Sequence, residues 1–393
     1  MQQATDTTSP GQRLVQLDII RGLAILGILL VNIFAFANPP DYSHSLIWQQ
    51  SVSTLDVFLF NVQTILFSGR FLTLFNLLFG VSLLLIIQKY GEDYLNRRLQ
   101  WLAVFGLIHI SFIWFGDILL WYALTGLLVV KQGYHKLDCA ALWRKGARLF
   151  AVSLILPAIF SVYLLLDAPP PQQPLPTEEL LAQQQLWTGP YLKQLLELLG
   201  HNLFMLAGFV LTLYWLMAAL MLFGMALHKG GWFSQGYSPR KTLLLLLTSL
   251  FISGTTAVLD HLTGYGYDLG ISLPWEQISA LLMALAFASL LINARQKPEV
   301  YYWLQRWLAP CGRMAFTLYL SQSLLMVLLF KVLKPDWFAS LDRAALLGIA
   351  IATIVLQLLF CRWYLQHFNQ GPLEWIWRRL SKKPVTAAAD SSH

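Results

Sequence analysis

Residues 17–36 read LDIIRGLAILGILLVNIFAF. This is an apolar helix long enough to cross a bilayer, for which roughly 20 residues suffice. It nevertheless carries Asp18, Arg21 and Asn32. A charge inside a membrane span costs at least about 2.5–3.5 kcal/mol, so such residues face a bundle interior or a wet cavity. Helical spacing sets the three on one stripe. Asp18 and Arg21 are one turn apart, and Asn32 lies about 16 Å of rise beyond Arg21. Gly22, Ala24 and Gly27 are small enough for a second helix to pack closely beside the stripe. The helix is expected to form one wall of a functional site.

The remaining sequence agrees with a membrane setting. Of 393 residues, 57% are hydrophobic and only 12% charged, against about 25% charged in soluble domains. An all-α, polytopic transmembrane helix bundle follows. The net charge of +7 is spread in short groups between apolar runs. That is the pattern of membrane loops and not a nucleic-acid footprint, so the lipid bilayer and a small-molecule substrate are the expected partners. Composition does not fix an oligomeric state. Cys139, Cys311 and Cys361 have no paired spacing and read as free thiols. The first apolar run is too long for a signal peptide and lacks a small-residue cleavage site.

Ten spans are expected, near 17–37, 70–89, 99–115, 117–133, 148–166, 202–227, 242–260, 277–294, 314–333 and 343–363. Their connections alternate in charge. Segments 38–54 and 261–276 have no Lys or Arg, whereas 89–98, 131–148, 228–241 and 295–313 are basic. Both termini are therefore expected in the cytoplasm. Segment 55–67 reads as a separate outer-side helix, interfacial or re-entrant, because 55–90 is too long for one crossing. The break falls at Ser68-Gly69-Arg70. The chain divides into an N-terminal tail (1–16), the bundle (17–363), a cytoplasmic interfacial helix (364–383) and a disordered tail (384–393). The outer loop 167–201 combines a Pro-rich spacer with an amphipathic helix.

Several side chains could carry chemistry. Asp18 and Arg21 form either an interfacial pair or an anion site, with Arg21 gripping a phosphate or carboxylate. Arg70 is either an interface anchor or a buried guanidinium held by Asp56 or Asp117. His109 is a core histidine or a general base. Asp117, about two turns above it, would cap the following span. His44 sits in the first outer loop. No metal-ligand spacing, Gly-rich phosphate loop or nucleophile elbow is present, and no cofactor is expected.

The blocks LDIIRGLAILGILLVNIFAF, GRFLTLFNLLFGVSL, GLIHISFIWFGDILLWYALTGLL, CGRMAFTLYLSQS and GPLEWIWR resemble the YeiB-like family of bacterial inner-membrane proteins, in that family's order and over most of the chain. The resemblance implies a multi-pass inner-membrane protein. More distantly, the chain is similar to the transmembrane acyltransferase superfamily, many of whose members open on an Arg-Gly-x-Ala helix. In the O-acyltransferase branch a catalytic His follows that Arg by eleven residues, where this chain has Asn32. In the heparan-sulfate N-acetyltransferase-like branch the active His lies in the loop after the first helix, a place comparable to that of His44.

Two active functions are compatible with these features, beside a third class in which the bundle is a non-catalytic membrane scaffold. One is acyl transfer from a cytosolic thioester such as acyl-coenzyme A to an acceptor at the outer side. That reading takes His109 or His44 with Asp117 as catalytic residues, and Asp18, Arg21, Asn32 and Arg70 as binding residues. The other is a transporter or channel for a small anionic solute, in which the same charges bind cargo.

Overall fold

The computed structural model describes residues 10–40, 46, 52–167, 176–263 and 273–382. His44 and the tail 384–393 lie outside the described residues. Among those described, every regular element is helical. In chain order they are α1 (Pro10–Ala37), α2 (Thr54–Leu66), α3 (Arg70–Tyr90), α4 (Glu92–Phe112), α5 (Leu119–Lys131), α6 (Cys139–Asp167), α7 (Thr177–Thr188) and α8 (Tyr191–Gly208). They continue with α9 (Tyr214–Lys229), α10 (Trp232–Gln235), α11 (Pro239–Thr263), α12 (Leu273–Asn293), α13 (Pro298–Arg313), α14 (Ala315–Leu328), α15 (Arg343–His367) and α16 (Pro372–Ser381). Eight helical stretches among the described residues are long and apolar enough to cross a membrane. The protein is a multi-pass membrane bundle.

Hydrogen bonds between connections define two ends. At the basic end, Lys229 donates to the carbonyls of His135 and Leu137, Arg313 to that of Asn369, and Gln16 to that of Leu291. At the opposite end, the Ala339 amide donates to Ala37, the Arg343 amide to Asp56, and Gln184 to Phe338. Counting α2–α3 and α8–α9 as one passage each, the chain runs ten times between these ends. The two passages beyond the eight long apolar stretches are α4 and the short apolar α5. They form a hairpin whose turn reaches Phe36 at the far end of α1, with Trp114 and Phe36 ring centres 4.1 Å apart.

Small residues set the closest approaches. A Cβ on Gly22 would overlap the carbonyl of Leu308, and one on Gly312 that of Asp18, so α1 and α13 touch backbone to backbone. Gly80 and Gly224 do the same for α3 and α9. In lipid, where burying Leu against Leu gains little, such contact supplies the association energy. The helix break falls at Gly69, whose φ of 74° is left-handed and strained for any residue with a side chain. Residues 177–208, which overlap the expected outer loop 167–201, form two helices, separated at Gly189-Pro190. Helix α1 begins at Pro10, inside the segment expected to be a tail.

The apolar interior divides in two. The larger cluster, toward the basic end, includes Ile20, Leu74, Leu99, Met221 and Tyr319. The smaller one, at the opposite end, is rich in aromatics and includes Phe34, Phe36, Trp114, Trp187, Phe330 and Phe338.

Candidate functional site

Between α1, α3, α4, α5, α14 and α16 lies a cavity of about 430 Å³. Its walls are graded. Toward the basic end they carry Asp18, Arg21, Arg98, Arg313, Glu374 and Arg378. The body is apolar, with Ile25, Ile28, Phe75, Phe79, Leu99 and Leu102. Tyr122 and Tyr319 are its buried polar residues. An amphiphile with an anionic head and an apolar chain matches this gradient.

The charged part is built by helix register and by a returning segment. Arg21 reaches Asp18 at 2.8 Å, Ser82 Oγ at 3.4 Å and the Gly312 carbonyl at 3.4 Å. Both side chains of the pair stay about one-fifth exposed, so the guanidinium remains reachable. Arg98 lies over the Trp377 ring, 3.6 Å from its centre, and its Nε has no hydrogen-bond partner among the described residues. The Trp377 indole donates back to the Arg98 carbonyl at 2.7 Å. Glu374 accepts from the amides of Phe316 and Thr317 (2.8 and 3.1 Å) and from the Thr317 hydroxyl (2.5 Å). A carboxylate there satisfies the bare amides at the start of α14. Of the two carboxylates in the wall, Glu374 is thus spent on backbone and Asp18 on Arg21. Positive charge is in excess over negative.

Behind Tyr319 sits a buried dyad. His109 Nδ1 is 2.8 Å from Asp117 Oδ1, with both side chains essentially inaccessible. Asp117 Oδ2 accepts the Leu120 amide at 3.0 Å, capping the first turn of α5. An ionised Asp117 only accepts, so Nδ1 carries the proton and Nε2 is left as the basic nitrogen. Nε2 has no hydrogen-bond partner among the described residues. The ring packs 5.6 Å from Tyr319, whose hydroxyl accepts the Ile118 amide at 3.2 Å. Tyr319 and Ile118 both line the cavity, so the dyad adjoins the cavity through one layer of side chains.

The other expected site residues fall as follows. Asn32 is absent from the cavity wall, which takes Asp18, Arg21, Ile25 and Ile28 from α1. Asn32 continues that stripe one turn higher. Arg70 is buried, but its partners differ from those expected. It donates to the Ser68 carbonyl, to Ser253 and, at 3.1 Å, to Ser279. Asp56 instead accepts the Arg343 amide at 2.9 Å and the Ser53 hydroxyl at 2.8 Å, and Asp117 holds His109. The reason is geometric: Asp56 lies at the start of α2, the end remote from Arg70, where it meets the first residue of α15, and serines of α11 and α12 flank Arg70 instead. Sequence reasoning missed Arg98, Tyr319, Glu374 and Trp377. The available signal was Glu374, an acid in an otherwise basic segment.

The family model described as Protein of unknown function (DUF418) matches residues 227–384, which contain the α13, α14 and α16 walls. Over 96% of its length the chain is 30% identical to Uncharacterized protein YeiB of Escherichia coli (strain K12), covering 98% of that protein. It is 28% identical to Uncharacterized protein YxaH of Bacillus subtilis (strain 168), over 96% of the chain and 97% of the relative. No solved structure matches the chain.

Proposed function

We propose that this chain, which belongs to the DUF418 family shared with YeiB and YxaH, is an acyltransferase of the bacterial inner membrane. The loop charges favour the basic end in the cytoplasm. A cytosolic acyl thioester such as acyl-coenzyme A would enter there, its anionic groups on Arg21, Arg98, Arg313 and Arg378 and its acyl chain along the apolar body. The acceptor would reach His109 from the outer side.

The observation that carries this reading is the buried His109–Asp117 dyad, whose Nε2 has no hydrogen-bond partner among the described residues, set one layer of side chains behind the wall of an amphiphilic cavity. In the step envisaged, Nε2 takes the proton of an acceptor hydroxyl as its oxygen attacks the thioester carbonyl. Asp117 steadies the imidazolium. The C–S bond then breaks, and the thiolate takes the proton back from His109. The products are an ester and a free thiol. The same cavity argues against transport of a small anion, because its body offers aliphatic and aromatic side chains where such a solute needs donors.

Purified protein incubated with labelled acyl-coenzyme A tests this. Wild type should bind and slowly hydrolyse the thioester. His109→Gln should bind it but lose turnover by about 10²–10⁴-fold, with an unchanged melting temperature. Absence of both binding and hydrolysis in folded wild type would overturn the reading in favour of transport.

A further inference from the structure

The aromatic cluster at the end opposite the cavity contains an ammonium that the reaction above does not use. Lys331 lies in the π-helical turn Leu329–Leu333 that extends α14. Its Nζ sits 4.6 Å from the centre of the Trp187 ring and 3.4 Å from Oε1 of Gln194. Among the described residues no carboxylate forms an ion pair with it. An ammonium carries three N–H donors. One long bond to a neutral amide and one ring face under-compensate a half-buried charge. An ionisable side chain within an apolar membrane helix points to a functional site by default.

Two further observations point the same way. The buried Trp114 in this cluster has an indole Nε1 without a hydrogen-bond partner among the described residues. It connects to Trp187 through Phe115, with ring centres 5.6 and 6.5 Å apart. The cluster therefore holds two kinds of donor with too few acceptors. It also abuts the dyad: the Trp114 amide donates to the His109 carbonyl at 3.0 Å.

We propose that this cluster binds a small anion, a molecule bearing a carboxylate or a phosphate, with Lys331 as counter-charge and Trp187 as the wall beside it. If the anion is also the acyl acceptor, that role rests on the acyl-transfer reading; the anion site itself does not.

Binding can be measured without turnover. Purified protein is titrated with glucuronate and, separately, with inorganic phosphate, reading tryptophan emission and calorimetric heat. One or both should bind saturably, and the better probe tells carboxylate from phosphate. Lys331→Arg, which keeps the charge, should retain affinity within about threefold. Lys331→Gln, which keeps a polar group near Gln194, should lose at least tenfold, while labelled acyl-coenzyme A still binds the cavity. Saturable binding by Lys331→Gln equal to wild type overturns the site, as does absence of binding by folded wild type to either probe. If Lys331→Gln does not fold, Trp187→Leu replaces it, with the same loss expected and undiminished binding overturning the proposal. Anion binding that follows the charge at residue 331 in a protein without thioester turnover would keep the site and discard the acyltransferase.

Discussion

At the basic end, Arg21 has Asp18 at 2.8 Å, one-fifth exposure and a cavity beside it. At the other end, Lys331 has an indole face and an amide oxygen, packed among Phe330, Trp187 and Gln194. Both cations lie on apolar helices, but they are stabilised by different means. The first end uses paired guanidiniums, backbone caps and open volume, and so leaves room for a large guest. The second uses dense aromatic packing around one point charge, which suits a small guest of fixed shape. A chain that handles an amphiphile at one face and a compact polar molecule at the other would divide its residues in this way. His109 and Asp117 stand where the two clusters meet.

The strongest way to break the contrast is to pry open the basic end alone. Gly312→Leu would drive a side chain into the Asp18 carbonyl, where even a Cβ overlaps. Overpacking against backbone is expected to cost on the order of 3 kcal/mol. The variant should lose thermal stability and thioester binding, and glucuronate or phosphate binding at the far cluster should survive in whatever fraction folds. Equal loss at both ends would mean that the bundle melts as one unit and the two ends are not separable.

A gentler substitution sharpens the contrast. Arg21→Lys and Arg98→Lys keep charge but lose the planar fork, and at Arg98 the stack on Trp377 as well. Each should weaken acyl-coenzyme A binding by about tenfold, close to the ~1.5 kcal/mol of one charge-assisted hydrogen bond. Melting temperature should barely move. Lys331→Arg should leave thioester binding untouched. If Arg21→Lys is silent in binding, Arg21 is an interfacial anchor and the gradient of the cavity loses its charged head.

The smallest expected effect lies on the basic surface itself. Glu92 is 3.1 Å from Lys136 Nζ and 3.0 Å from His135 Nε2. The Lys136 ammonium and then the His135 ring hold its carboxyl below the usual carboxylate range. A carboxyl whose folded value is depressed adds stability above its unfolded value and loses it as pH falls through the folded one. Glu92→Gln should therefore melt slightly below wild type at neutral pH. The gap should close as the pH drops through about 4, the ordinary carboxylate range. A gap that stays constant down to that pH would assign the effect to packing.

How much of this could be read from the sequence depended on how far apart the partners stand in the chain. Apolar runs placed the crossings, and Gly69 between Ser68 and Arg70 marked the break. His109 and Asp117 are eight residues apart across a short turn, near enough for helical rise alone to bring them to one level. Arg70 was misjudged because its serine partners lie 183 and 209 residues away, and helical periodicity says nothing about which helices become neighbours. Glu374 and Trp377 were legible as part of a helix but not as a wall, since their contacts with Thr317 and Arg98 depend on how the chain turns at Asn369–Gly371. Asn32 shows the converse. The stripe it shares with Arg21 is real, but the cavity ends one turn below it.

The returning helix α16 also has a consequence for biosynthesis. The walls of the cavity run from Asp18 to Arg378 in the chain, and Glu374 supplies the cap that the first turn of α14 otherwise lacks. While the ribosome is still translating, every earlier helix can enter the membrane, but the site remains a bare cleft with unsatisfied amides at its edge. Completion of the pocket is thus delayed until translation is nearly over, so a nascent chain stalled before Gly371 would be inserted with the pocket still lacking its last wall.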